Sequence, residues 1–68
     1  SDTSKTALES AKETYESTKE TVYNMFLERN SIPEHRQNEA RAAIRSAAEA
    51  AEKIKDLIKE EYGEIRKI

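Results

Sequence analysis

A seven-residue repeat restricts this chain more than any other feature. Written in sevens from Ser4, its first half reads SKTALES, AKETYES, TKETVYN and then MFLER, which stacks Lys5, Lys12 and Lys19 in one column and Leu8, Tyr15 and Val22 in another. With the second column called a, position d holds Ser4, Ala11, Thr18 and Met25. A straight α-helix has about 3.6 residues per turn, so a strict heptad keeps one seam in contact only if the helix wraps a neighbour in a left-handed supercoil. The spacing predicts a helix over residues 4–29 that packs against another helix.

The second half carries the same signal on a broader face. Ile44, Ala51, Ile58 and Ile65 fall at a, with Ala40, Ala47, Ile54, Glu61 and Ile68 at d. Ala43, Ala50 and Leu57 at g, with Ala48 and Tyr62 at e, widen the apolar stripe beyond what one partner helix covers. A second helix is predicted over residues 33–62.

Boundary signals separate the two. Ser31-Ile32-Pro33-Glu34 matches the S-x-x-E capping box, in which the hydroxyl satisfies a free backbone N–H and the Glu reaches back to the cap. Pro33 is harmless in a first helical turn but costs about 3 kcal/mol inside a continuous helix, which argues against one uninterrupted rod. Asn30 is expected to take the left-handed conformation that ends helix one, leaving a connection short enough to make the helices antiparallel neighbours. Asp2 and Thr3 are candidate caps at the start. At the far end Gly63 is placed to stop helix two, yet Ile65 and Ile68 continue the rhythm past it, so both readings of that end stay open.

Folding the chain at this turn sets the bulky Val22, Met25 and Phe26 against Ala40, Ala43 and Ala47. The expected packing residues are Leu8, Tyr15, Val22, Met25 and Phe26 on helix one, and Ile44, Ala47, Ala51, Ile54, Leu57 and Ile58 on helix two. At 68 residues the chain allows one small domain, residues 1–68, with a thin core. It has no cysteine and one histidine, so disulfide and zinc staples are not available to it. Hydrophobic residues at 35% and charged residues at 38% suit long solvated helices, and their strict periodicity argues against disorder. The fold class is therefore all-α: an antiparallel two-helix hairpin, expected to dimerise into a four-helix bundle with coiled-coil-like packing.

The same residues narrow the function. A net charge of −2 with signs interleaved offers no overall field to recruit a polyanion or an anionic membrane. No apolar run reaches spanning length and no charged-then-apolar leader opens the chain, so no membrane segment is expected and no compartment is indicated. Opening on Ser1 rather than Met reads as a processed protein, an excised domain or an engineered chain.

Chemistry-bearing motifs are sparse. His35 lies between Glu34 and Arg36 without the spacing of a metal-binding helix, and it reads as solvated. The carboxylates Glu9, Glu13, Glu16, Glu20, Glu49, Glu52, Asp56 and Glu60 fall mostly on solvent faces, where pairs such as Lys5–Glu9, Lys12–Glu16 and Glu49–Lys53 support helicity. Glycine-rich phosphate loops and nucleophile elbows are absent from the sequence, so no enzyme and no cofactor are expected. Tyr15, Thr18 and Glu61 place polar groups in the seam, where they either fix register or reach solvent at its edge and open end.

The expected function is helix-mediated assembly, with itself or with another helical protein. The alternative is a small nucleic-acid-binding bundle using Arg36, Arg41 and Arg45. It is disfavoured because Glu34, Glu39 and Glu49 interrupt the strip and no aromatic residue lies among the arginines in sequence to stack a base.

Overall fold

The computed structural model describes residues 2–63, with side chains from Lys5 onward. The candidate caps Asp2 and Thr3, the side chain of Ser4 and the residues Ile65 and Ile68 therefore lie outside the described side chains. Within these bounds the chain is all-helical, without a strand. Helix α1 spans Asp2–Glu28 and helix α2 spans Gln37–Tyr62, joined through two short 3-10 turns, Arg29–Ser31 and Glu34–Arg36. The Cα envelope of 51 × 18 × 15 Å is two helices wide and one layer deep.

Burial follows the heptads. On α1 the side chains shielded from solvent are Leu8, Ala11, Tyr15, Thr18, Val22 and Met25, continued by Arg29 beyond its end. These alternate in steps of three and four, as a supercoiled seam requires. On α2 the matching series is Gln37, Ala40, Ile44, Ala47, Ala51, Ile54 and Ile58. Most of these positions are half-covered. Among the described residues only Ala51 (7% exposed) and Ile58 (3%) are buried.

Several expected packing residues stand elsewhere. Phe26 is 47% exposed and Leu57 57% exposed, and Ala43 is exposed as well. The reason is angular: at about 100° per residue, columns e and g lie roughly 70–90° from the centre of the a/d seam, where a single partner covers only their inner edge. Glu61 is exposed while Tyr62 is half-buried, so the end of α2 places an aromatic ring, not a carboxylate, against the seam. Thr18 does not bridge the helices, because its hydroxyl donates to the Thr14 carbonyl at 2.8 Å. Tyr15 is half-buried with the Lys19 ammonium 4.9 Å from its ring centre.

The turn is built differently from the capping box that the sequence suggested. No side chain caps the Glu34–Arg36 turn or α2, and Asn30 does not adopt the left-handed conformation, since every described non-glycine residue keeps a negative φ. Instead the carboxamide of Gln37 reaches back and its Nε2 donates to the carbonyls of Arg29 (2.9 Å) and Ile32 (2.8 Å). One side chain thereby ties the first turn of α2 to the connection that follows α1. Ile32 is extended (ψ 133°), as a residue preceding proline must be, and its N–H donates to Arg29 O at 3.3 Å. Arg36 N–H closes onto Pro33 O at 2.9 Å. The residue that flanks the Glu34–Arg36 turn is Pro33, which has no hydroxyl, and Ser31 lies one turn earlier within Arg29–Ser31, so it is not placed to cap the N–H groups that follow.

Gly63 ends α2 with φ 73° and ψ −158°, and its N–H donates to Lys59 O at 2.9 Å. That conformation is open to glycine and strained for other residues, which explains why the sole glycine sits there.

Two stability outcomes follow from these contacts. Replacing Gln37 by Ala removes both side-chain bonds, leaving the Arg29 carbonyl with the longer Ile32 N–H bond and the Ile32 carbonyl without this donor, and lowers stability by about 1–2 kcal/mol. Ser31→Ala changes stability by less than about 0.5 kcal/mol, the reverse of what a capping box requires. Thermal unfolding followed by circular dichroism at one fixed protein concentration distinguishes them, and a larger effect at Ser31 would restore the capping box. In the seam, Ile58→Ala costs about 2–5 kcal/mol, because it empties the most buried large site.

Candidate functional site

An antiparallel pair brings the e columns of both helices to one flank and the g columns to the other. The resulting segregation of side chains is the main functional feature of the surface. In the e columns stand Lys5, Lys12, Lys19 and Phe26 of α1 with Arg41, Ala48, Lys55 and Tyr62 of α2. Within α1 and α2 they contain five cations and no carboxylate, and Glu34 continues the column into the connection. The g columns hold Ala7, Thr14, Thr21 and Glu28 with Arg36, Ala43, Ala50 and Leu57, so their only charges sit beside the turn. Cations are thus concentrated on one flank, although Glu16 and Glu52 in the next column outward pair with Lys19 and Lys55.

The uncharged flank is suited to burial. Thr14 and Thr21 keep their hydroxyls occupied within α1, donating to the carbonyls of Ser10 (3.0 Å) and Ser17 (3.1 Å). A partner laid over them strands no polar donor, so the usual penalty for covering a hydroxyl is reduced. Ala43, Ala50 and Leu57 recur once per heptad on α2 and leave a shallow surface from which Leu57 projects. Near the turn this flank ends in a groove of about 380 Å³ formed with Ile32, Pro33, Arg36 and Glu39.

The cationic flank ends at the turn in a larger groove of about 530 Å³. Phe26, Ala40 and Ile44 supply apolar lining, and Arg29, Arg41 and Arg45 surround it with Asn30 and Gln37. Arg29 is held twice: its guanidinium stacks 3.7 Å from the Phe26 ring centre, and its Nη1 donates to the Phe26 carbonyl at 2.7 Å.

The three arginines singled out from the sequence do not share this place. Arg41 and Arg45 line the larger groove, whereas Arg36 lines the one on the opposite flank and pairs with Glu39 at 3.6 Å. Arg29 and Phe26 take the vacated role, bringing an aromatic ring among the arginines across the hairpin where the linear sequence shows none. The signal for Arg29 was its place at a, one heptad after Val22, where a cation interrupts an otherwise apolar or hydroxylated column.

Of the cap residues, Asn30, Ser31, Pro33 and Glu34 all lie in the connection, exposed to solvent. Ion pairs among the described residues join Glu16–Lys19 (3.7 Å), Arg36–Glu39 (3.6 Å) and Glu52–Lys55 (3.5 Å), at spacing three where the sequence suggested four. All are solvent-exposed, so each contributes a few tenths of a kcal/mol. His35 is exposed, and no group of three potential metal ligands occurs among the described residues. No described helix is long and apolar enough to cross a membrane. No family model, curated protein or solved structure matches the chain.

Proposed function

We propose that this hairpin is an assembly module that works by laying the uncharged flank of α2 against another helical protein, in the first instance a second copy of itself. The supporting observation is the imbalance between what the pair buries and what it leaves out. Two residues are buried among those described, while Leu57 and the regularly spaced Ala43 and Ala50 remain uncovered. A layer two helices wide shields one side of each helix, and a second hairpin supplies the missing layer of a four-helix bundle. Alanine at successive g positions admits close backbone approach, with the branched Leu57 available to fill the space beside a facing alanine.

Sedimentation equilibrium at micromolar concentration tests the reading. The expected species has twice the 7.8 kDa chain mass. Leu57→Asp, at an exposed position outside the intramolecular seam, should give a helical monomer, whereas Ile58→Asp should abolish folding and association together. Persistence of a cooperatively folded monomer at all concentrations tested would overturn the proposal. So would a Leu57→Asp dimer as tight as the parent, because it would place the contact elsewhere.

A further inference from the structure

We infer that the groove at the turn end of the cationic flank is a binding site for a small organic anion, one with an acidic group on an aromatic or branched apolar body. The inference does not rest on self-association, since the groove lies on the flank opposite the assembly face.

Three observations converge on this ligand class. The first is uncompensated charge. Arg41 and Arg45 are four residues apart on one helix, a spacing at which like charges repel, and Arg29 adds a third cation from across the hairpin. No carboxylate lines the groove, and none of these arginines joins an ion pair among the described residues. The fold thus gathers three cations around this groove, while the nearest carboxylates, Glu34 on the adjoining groove that Arg41 also lines and Glu49 one turn beyond Arg45, make no ion pair with them.

The second observation is preparation of one of the cations. Arg29 is half-buried, stacked on Phe26 and tethered to its carbonyl, which fixes the guanidinium plane while leaving N–H groups not used by that tether. Guanidinium pairs carboxylate, phosphate and sulfonate oxygens through charge-assisted hydrogen bonds, often two at once.

The third is shape. About 530 Å³ falls within the range of small-molecule sites, and Ile44, Ala40 and the exposed edge of Phe26 offer an apolar surface beside the charges. An inorganic ion would leave that surface wet. A row of phosphates would find three cations here, then the carboxylates on either side of the turn. An anion with an apolar body uses both parts.

Anilinonaphthalene sulfonate is a direct probe, because it carries one sulfonate on an aromatic body and fluoresces when desolvated. Titration into the full chain should saturate at one molecule per chain and weaken with added salt. Arg41→Gln with Arg45→Gln should weaken binding about tenfold or more, the scale of losing a charge-assisted hydrogen bond. Lys12→Gln with Lys59→Gln removes the same charge from distant positions and should change binding less than about twofold. Both variants alter exposed side chains, and unchanged helical circular dichroism shows that the fold is retained.

Uncharged phenylnaphthylamine should bind about tenfold or more weakly than the sulfonate. Equal loss in both double variants, equal binding of the uncharged dye, or no saturable binding would each overturn the inference. It is likewise overturned if thymidylate strands displace the dye with an affinity that climbs steadily with strand length, since the site would then serve a polyanion.

Discussion

A seam with a period of 3.5 residues governs this structure because it is narrow. Two columns per helix can stay in continuous contact along a supercoil, and the adjacent columns are covered on their inner edges alone. In this hairpin the contact columns hold alanine, threonine and tyrosine as often as isoleucine or leucine, so the intramolecular core culminates in Ala51 and Ile58 and is half-open elsewhere. The exposed apolar side chains of the two flanks are a consequence of what this seam leaves uncovered. Phe26 and Leu57, which periodicity alone assigns to packing, fall one column outside it, on opposite flanks.

Antiparallel pairing then acts as a sorting operation. A linear reading finds positive and negative residues alternating throughout and infers no directional field. Folding places Lys5, Lys12, Lys19, Arg41 and Lys55 on a single flank, and leaves alanine and threonine on the other. Glu13, Glu20, Glu49 and Asp56 fall in the outermost columns, away from both flanks. Glu9, Glu16 and Glu52 stand one column outward from the lysines, so the transverse asymmetry beneath the small net charge is partly offset by the Glu16–Lys19 and Glu52–Lys55 pairs.

The parts legible in the sequence are those encoded by period. The two helices, their antiparallel order, the interruption at Pro33 and the a/d series from Leu8 to Ile58 follow from residue spacing, because covalent geometry dictates which side chains share a face. The closure of the turn is not legible in the same way. Ser31 and Glu34 satisfy a local pattern, but Ser31 falls in the turn before the extended Ile32, and the connection is tied instead by Gln37, which reaches carbonyls five and eight residues back. Whether a carboxamide reaches so far depends on the path of Ile32 and Pro33, which a local motif does not specify. The groove escapes sequence reading for a related reason: Arg29 and Phe26 approach Arg41 and Arg45 only through the hairpin, so no linear window contains the site.

The two proposed roles are compatible because the seam separates them. A partner on the Ala43–Ala50–Leu57 flank and an anion among Arg29, Arg41 and Arg45 meet opposite edges of α2, with the Ala40 and Ile44 backbone between them. Energetic coupling between such sites requires an element with two discrete arrangements, and here the nearest common element is the turn held by Gln37. Gln37 also lines the groove proposed for the anion, so the side chain that holds the turn is itself next to that site. Release of its carboxamide would alter the turn and the groove together, which makes Gln37 the element through which assembly and anion binding would be coupled.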